Sequence, residues 1–537
     1  MRMFDLMCRR IEVAGICAGL LLAAAAKGAD KDTSDLILDL FVQKGFVSQQ
    51  EADQIKAQAE AMRTNQIQMP ASQKSNWSVS QVFKKVELFG DVRLRYEDRS
   101  ASDTANNNVD LQRWRYAVRL GLRGNLFEHF YYGVRLDTSS NPRSTWVTFG
   151  DNATTSKGLY QGPFGKSAAS IAVGQAYIGW RPADWFDLTL GKMPNPLYTT
   201  PLVWDSDLNP EGAAEHLKYT IGNADLFANF GQFLYAAFNP NSASGGLGIN
   251  AANPFNADNI LQFAYQGGVQ YHFATNISAK VAATIYKYLG LRQSIGPNGS
   301  ALPLAPYFGD PYIGEGAYYL LPGNAPGYSG YGAGFNVPPG YGSVGFPFNQ
   351  VGLNHLLVLE LPAEINFKIW KLNAQLFGDF AYNLEGAKRA EDAANAYQAV
   401  AAANPGATPH SFPAQTSDVK AYQVGLELAS AGGRGLISGA AARKHAWEFK
   451  AYWQHVEQYS LDPNLIDSDI FEGRENMEGI YAAVAYGISD HLVGSVHYGH
   501  ASRINPLLGT GGSNADLPWM NPINDFWLLQ VDLTLQF

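Results

Sequence analysis

The chain has 537 residues, of which 16% are charged and 13% aromatic, and its formal net charge is −9. Charged residues are scarcer than the roughly 25% found in soluble globular proteins. The acidic balance excludes a general nucleic-acid binder, which needs a basic surface. A mean hydropathy of −0.16 excludes a bundle of membrane helices.

The N terminus has the pattern of a secretory signal. Three arginines precede an apolar run, residues 11–26, that ends in small residues suited to cleavage. We predict a signal peptide over residues 1–26, and cleavage as late as residue 29 is also compatible with the sequence. Both cysteines of the chain, Cys8 and Cys17, fall within this segment, so the mature chain has no disulfide framework.

The next segment has a helical pattern. Leu36, Leu38 and Leu40 belong to an apolar run, and Ser48 with Glu51 forms a capping box for a second helix. We predict a periplasmic helix-turn-helix or coiled-coil element over residues 30–65 and a polar linker over residues 66–84. The element is interpreted either as an oligomerisation or cell-wall-contacting module or as a spacer.

Beyond the linker, the apolar pattern changes to a period of two. Trp114, Tyr116 and Val118 alternate with arginines, and the same alternation recurs in later segments of about ten residues. Membrane β-strands have this pattern, although strands of a soluble sandwich share the period. Strands are predicted near residues 86–97, 112–123, 131–139, 171–181, 185–192, 213–219, 225–237, 259–272, 275–289, 355–366, 371–383, 418–429, 446–458, 477–487, 490–500 and 525–537.

The lengths of the connections distinguish the two architectures. Tight connections such as 181–184 and 220–224 alternate with long ones such as 140–170 and 193–212, as in outer-membrane barrels with short periplasmic turns. We predict an all-β fold over residues 85–537, a transmembrane antiparallel barrel of about 16 strands, with about 14 or 18 still open. One turn, 430–445, is longer than this pattern requires.

The final segment alternates up to the last residue. Trp527, Leu529 and Val531 are predicted to face lipid, and Gln530 and Asp532 to face the lumen. A last strand ending on phenylalanine resembles the C-terminal signal of bacterial outer-membrane barrels. Phe537 is therefore predicted to be the signal for the barrel-assembly machinery.

Motifs for enzymatic chemistry are missing from the sequence. It contains neither the nucleophile elbow GxSxG nor HExxH, and we expect no enzyme activity, no cofactor and no metal. Asp467, Asp469, Glu472 and Glu475 could together bind calcium, but a solvated acidic loop is the favoured interpretation.

Basic residues concentrate on the first three predicted strands. The lumen-facing arginine set comprises Arg93, Arg95, Arg113, Arg115, Arg119, Arg123 and Arg135. Arginines along a pore favour anions; alternatively, these side chains pair with neighbouring carboxylates and stiffen the wall. The predicted constriction loop, residues 193–212, would supply the opposing acidic side through Asp205, Asp207 and Glu211 if it folds inward.

Several sequence blocks resemble one bacterial family. They are GKMPNP at 191–196, WDSDLNPEGAAEH at 204–216, YWQHVEQYSLDPNLIDSDIFEGRENMEG at 452–479 and LILDLFVQKGFVSQQEAD at 36–53. Together they are similar to the outer-membrane family called putative porins, over nearly the whole mature chain. The resemblance implies a porin-like barrel for passive passage of solutes.

These observations predict a porin of the bacterial outer membrane. Its water-filled channel would pass small hydrophilic solutes by diffusion, with a preference for anions. The alternatives are a channel specific for an oxyanion, a structural barrel that anchors the outer membrane to the cell wall, and a barrel-embedded hydrolase. The expected partners are outer-membrane lipid, the barrel-assembly machinery, and peptidoglycan or further copies in a trimer, but no nucleic acid. The stretch 305–350 is predicted to cover the outer mouth, the bilayer rim or a neighbouring copy.

Overall fold

The structure is a computed structural model of the chain. It describes Val42, Gln49–Gln50 and residues 85–102, 108–139, 144–150, 170–236, 260–289, 294–295, 301–302, 355–403, 414–439, 442–510 and 523–537. The predicted signal peptide, the linker, nearly all of the 30–65 element and the stretch 305–350 lie outside these residues. Among the described helices, none has the length and apolarity to cross a bilayer.

Most described residues belong to strands. In chain order they are β1 (Lys85–Ser102), β2 (Asn108–Asn125), β3 (Phe130–Ser139), β4 (Val147–Thr148), β5 (Ser170–Ala183), β6 (Phe186–Lys192), β7 (Glu211–Ile221), β8 (Ala224–Ala236), β9 (Ile260–Ala274), β10 (Ile277–Leu289), β11 (Ser294–Ile295), β12 (Ala301–Leu302), β13 (Leu357–Glu360), β14 (Ala363–Ile369), β15 (Leu372–Asn383), β16 (Lys420–Ala429), β17 (Trp447–Val456), β18 (Met477–Gly487), β19 (Leu492–Arg503) and β20 (Asp525–Gln536). Two helices lie between strands, α1 (Gly386–Ala403) and α2 (Ser468–Phe471).

The main sheet closes on itself. Its 18 strands are antiparallel, and β1 pairs with β2 on one side and with β20 on the other. The strands β13 and β14 share one position between β10 and β15, and β4 is a two-residue strand beside β2. The result is a closed barrel of 16 strands, which confirms the predicted architecture and strand count.

The two faces of the wall have opposite character because strand side chains alternate. On β20, Leu529 and Val531 are 40% and 44% exposed, whereas Gln530 and Asp532 are buried inside. The other strands follow the same rule, with aliphatic and aromatic residues exposed on the outer surface. An apolar exterior around a polar interior is the arrangement that a membrane barrel requires.

The connections follow the predicted alternation with two exceptions. The turns at 184–185, 222–223 and 275–276 are tight, whereas most connections at the other end of the barrel are long. The exceptions are the short connection 103–107 between β1 and β2 and the long connection 430–446 between β16 and β17, which the sequence already indicates. The long connection after β15 contains α1, a helix that the sequence analysis does not predict.

Candidate functional site

The constriction loop runs through the barrel interior. Residues 193–210 connect β6 and β7, and Leu202, Val203 and Trp204 in this loop are at most 5% exposed. They pack on the inner faces of other strands, including Phe233 of β8 and Tyr286 of β10. Burial of these large apolar side chains holds the loop against the wall instead of outside the barrel.

Hydrogen bonds extend this attachment across the lumen. The backbone N–H of Tyr198 donates to Gln266 Oε1 at 2.9 Å, and its hydroxyl donates to Glu364 Oε2 at 3.0 Å. Farther along, the Thr200 hydroxyl donates to Asp379 Oδ2 on β15 at 2.6 Å. The loop therefore reaches from β6 to β15 inside the barrel.

A second inward loop, residues 457–476 between β17 and β18, meets the constriction loop. The Asp205 N–H donates to the Leu465 carbonyl at 2.6 Å, and the Asp467 N–H donates to the Pro201 carbonyl at 3.2 Å. The Ser468 hydroxyl donates to Asp205 Oδ2 at 3.0 Å. Two sequence blocks that carry the family resemblance thus lie in direct contact.

The interpretation of this second loop as a solvated acidic loop is wrong for its glutamates, whereas the Asp469 side chain is 39% exposed. Glu472 and Glu475 are fully buried, and Asp467 is also inside the barrel. Burial of Glu472 is possible because Arg474 Nε and Arg99 Nη1 lie 3.0 and 3.4 Å from its carboxylate oxygens. Within the described ranges, no group of three or more His, Cys, Asp or Glu side chains is arranged to hold a metal ion.

Four aspartates gather where the two loops touch; this acidic junction comprises Asp205, Asp207, Asp467 and Asp469. Burial and the nearby Asp207 carboxylate raise the pKa of Asp205 to about 7. Burial and the Asp205 carboxylate likewise raise the pKa of Asp467 well above its ordinary value. Low exposure disfavours the charged forms of Asp205 and Asp467, and like charges nearby disfavour them further.

All members of the arginine set lie on the inner face of β1, β2 or β3, and each has a carboxylate neighbour. The closest pairs are Arg93–Asp91 at 2.9 Å, Arg95–Asp532 at 2.8 Å, Arg113–Glu97 at 2.5 Å, Arg115–Glu97 at 3.8 Å, Arg119–Asp91 at 2.7 Å, Arg123–Glu87 at 2.7 Å and Arg135–Asp137 at 2.7 Å. The charge of the set is thus largely compensated within the wall, as the alternative interpretation of these residues expects.

Cross-strand register explains most of these pairs. Arg113, Arg119 and Arg123 of β2 stand directly opposite carboxylates of β1. Arg95 stands opposite Arg115, a like-charge pair that destabilises a sheet unless other groups compensate it. The indole ring of Trp146 lies over both guanidinium groups, with its centroid 4.0 Å from Arg95 Cζ and 5.9 Å from Arg115 Cζ.

The acidic junction faces this basic wall. Asp469 Oδ2 lies 3.4 Å from Arg95 Nη1, and Asp207 Oδ1 lies 3.9 Å from Arg119 Nη1. Positive and negative groups therefore meet across the interior at the level of the constriction loop. The predicted inward position of Asp205 and Asp207 agrees with this geometry.

Glu211 lies apart from the junction. It is the first residue of β7, and its carboxylate lies 2.8 Å from Lys192 Nζ with 58% of the side chain exposed. It makes no ion pair with the arginine set among the described residues.

Phe537 lies at the seam of the barrel, where β20 meets β1. Its N–H donates to the Gly90 carbonyl, and its carbonyl accepts from the Gly90 N–H. Its role in assembly stays a prediction.

The long connection 430–446 also enters the lumen. The Glu448 carboxylate accepts hydrogen bonds from the backbone N–H groups of Gly435 and Ile437. Ile437 packs against an inner aromatic cluster that includes Phe377 and Tyr452. The additional residues of this connection therefore pack inside the barrel, at the end that carries the tight turns.

The space left beside the loops is open in places. A cavity of about 370 Å³ lies between the constriction loop and the walls of β3, β5 and β8, and its lining includes Asp137, Lys192 and Asp207. Cavities of this size accommodate small solutes. A second cavity, of about 300 Å³, lies under Tyr198 beside β7–β10.

Comparison with known families confirms the resemblance predicted from the sequence. The family model described as "Putative porin" matches residues 101–297. This match covers β2 to β10 and the whole constriction loop. No curated protein sequence matches the chain.

Several solved structures are similar to the chain at low identity. OprB of Pseudomonas putida is 10% identical, with a TM-score of 0.41, and the match covers 84% of this chain and 94% of that one. OpdQ of Pseudomonas aeruginosa is 12% identical, with a TM-score of 0.36 and coverage of 85% and 100%. The anion-selective porin from Comamonas acidovorans is 9% identical, with a TM-score of 0.37 and coverage of 84% and 99%.

The family match and the closed barrel lead to one general statement. Over residues 101–297 the chain is similar to the putative porins, and its fold is a closed antiparallel barrel of 16 strands.

Proposed function

We propose that the barrel is a channel for passive diffusion of small hydrophilic solutes, with a selectivity set by the charge state of the acidic junction. The observation that carries the proposal is the meeting of the two inward loops opposite Arg95 and Arg119. This arrangement narrows the lumen and places opposite charges on its two sides. A solute would have to orient its own charges and dipoles in that field to pass.

The paired state of the arginine set limits the predicted anion preference. Carboxylates on the same wall compensate these arginines, and the junction adds further negative charge. A pore with such balanced walls discriminates weakly between anions and cations when all its carboxyls are ionised. Anion preference then requires that some of the junction carboxyls be neutral.

The test is single-channel conductance of the refolded mature protein in planar bilayers, with reversal potentials measured under a KCl gradient. We expect steady ohmic conductance with weak selectivity at neutral pH. A folded barrel without conductance would overturn the channel proposal and favour the anchoring alternative. In that case, deletion of residues 30–65 should weaken envelope attachment.

Selectivity is expected to change with pH through Asp205. Its pKa is raised to about 7, so the group is neutral below that pH and charged above it. Lowering the pH from about one unit above this pKa to about one unit below it should therefore shift the reversal potential toward anion preference. The variant Asp205→Asn should lose most of this shift, which reversal potentials measured between these two pH values would show.

The matched control is Glu211→Gln, because Glu211 is exposed, pairs with Lys192 and lies apart from the junction. This variant should retain the pH-dependent shift. A wild-type reversal potential that stays constant through neutral pH would contradict the assignment of the shift to the junction.

A further inference from the structure

A lysine pocket lies in the lumen between the constriction loop and the walls of β7–β10. The cavity of about 300 Å³ is lined by Pro196, Leu197, Tyr198, His216, Lys218, Asp225, Phe227, Asn229, Gln270 and Lys280. Three of these residues come from the constriction loop, so the pocket exists only while that loop is folded inward. Its lining combines apolar surface with cationic and amide groups.

Lys280 is the central cation of this pocket. It lies on the inner face of β10, in phase with the buried Thr284 and Tyr286. Its Nζ atom lies 3.9 Å from the centroid of the Tyr198 ring and 5.0 Å from that of Phe227. Contact with two aromatic faces holds the ammonium in place without neutralising its charge.

Lys280 differs from the arginine set in its charge partners. Within the part of the chain that the structure describes, no carboxylate oxygen lies within ion-pair distance of Lys280 Nζ. Glu364 of β14 stands directly opposite Lys280 in the sheet. Its carboxylate accepts hydrogen bonds from the Tyr198 hydroxyl and from Asn366 Nδ2. Tyr198 and Asn366 each donate to one oxygen of Glu364, and this carboxylate acts on Lys280 only from beyond ion-pair distance.

The other charges of the pocket compensate one another. Lys218 Nζ lies 3.3 Å from Asp225 Oδ2, and His272 Nε2 lies 3.6 Å from the same oxygen. His216 Nδ1 shares a hydrogen bond with Asn229 Oδ1. The pocket therefore presents one ammonium group whose charge its own lining leaves available.

We propose that this pocket binds the carboxylate of a small organic monoanion and packs the solute's apolar ring against Tyr198, Phe227 and Leu197. The inference rests on the proposed channel function and names a solute class for it. A carboxylate matches the ammonium of Lys280 in charge and hydrogen bonding. One available cation favours a singly charged group over a phosphate dianion, and the rings beside it favour a solute with an apolar body.

Benzoate is the probe, and binding to the refolded mature chain is measured by titration calorimetry. Binding should saturate with benzoate, whereas benzamide, which has the same ring without the charge, should bind at least about tenfold more weakly. Lys280→Gln should weaken benzoate binding by about tenfold or more, and Lys280→Arg should retain most of it.

The matched control is Lys287→Gln. Lys287 lies on the same strand but in the opposite phase, with its side chain on the outer face. This variant should bind benzoate as the wild type does. A second readout, reduction of the KCl current by benzoate in planar bilayers, should follow the same order among the variants.

Three results would overturn the pocket assignment: equal benzoate affinity for wild type and Lys280→Gln, equal affinity for benzoate and benzamide, or tighter binding of inorganic phosphate than of benzoate. Conductance in KCl alone is recorded first for every variant. Its absence would overturn the channel function, while calorimetry would still decide whether the pocket binds the carboxylate.

Discussion

Replacement of Glu97 by glutamine should destabilise the barrel and shift its selectivity strongly toward anions. The Glu97 side chain is fully buried, with Arg113 Nη2 at 2.5 Å, Arg99 Nε at 3.0 Å and Arg115 Nη1 at 3.8 Å. Removal of one member of a buried ion-pair group leaves uncompensated charge and costs about 3–5 kcal/mol. The released positive charge lies beside the constriction, where it would attract anions.

Urea unfolding in lipid vesicles would measure the loss of stability, and reversal potentials would measure the selectivity. The control is Glu87→Gln, because Glu87 and Arg123 form a similar cross-strand pair with side chains 42% and 52% exposed. Exposed pairs contribute up to about 1 kcal/mol, so the control should remain close to wild type. Similar losses in both variants would show that burial of the Glu97 group has no special effect.

Replacement of Trp204 by alanine should release the constriction loop and enlarge the pore. The side chain of Trp204 is buried, its ring centroid lies 6.1 Å from that of Phe233 and 6.4 Å from that of Tyr286, and its Nε1 donates to the Leu208 carbonyl. Truncation of a buried tryptophan costs about 3–5 kcal/mol, and this loss would weaken the attachment of the loop to the wall.

Single-channel recordings should then show a higher conductance than wild type, with frequent transitions as the loop leaves the wall and returns. The control is Trp185→Ala, since Trp185 lies at a short turn with 59% of its side chain exposed. That variant should conduct like the wild type. Unchanged conductance in a folded Trp204→Ala barrel would mean that the loop stays docked through its hydrogen bonds to β9 and β15.

The strands could be predicted from the sequence because apolar lipid-facing residues alternate with polar lumen-facing residues along each membrane strand. The alternation locates even β6 and β7, since Leu190 of β6 and Tyr219 of β7 face outward as it requires. The same period placed the arginine set inside. Its pairing was not predictable, because the partner of each arginine depends on the register between β1, β2 and β20.

The burial of the interior loops could not be predicted from a local sequence pattern, because it depends on contacts with distant residues. The segment 457–476 is dense in carboxylates and was interpreted as solvated, yet Arg99, far away in the sequence, accompanies Glu472 into the interior. Likewise, the role of Trp204 depends on Phe233 and Tyr286, which belong to other strands. The alanine-rich sequence of α1 favours a helix, but the strand period of two in the neighbouring segments carries no information about it.

The contact between the two inward loops has a mechanical consequence. Through Thr200 the pair of loops is fastened to β15, and through Asp207 and Asp469 it reaches β1 and β2 on another side of the wall. The lateral pressure of a bilayer tends to flatten a hollow barrel. Two loops that bridge the interior from one side of the wall to another resist this flattening. We expect the bridging loops to stiffen the cross-section in this way. Under the proposed channel function, a solute would pass beside the loops and along one charged wall rather than along the central axis.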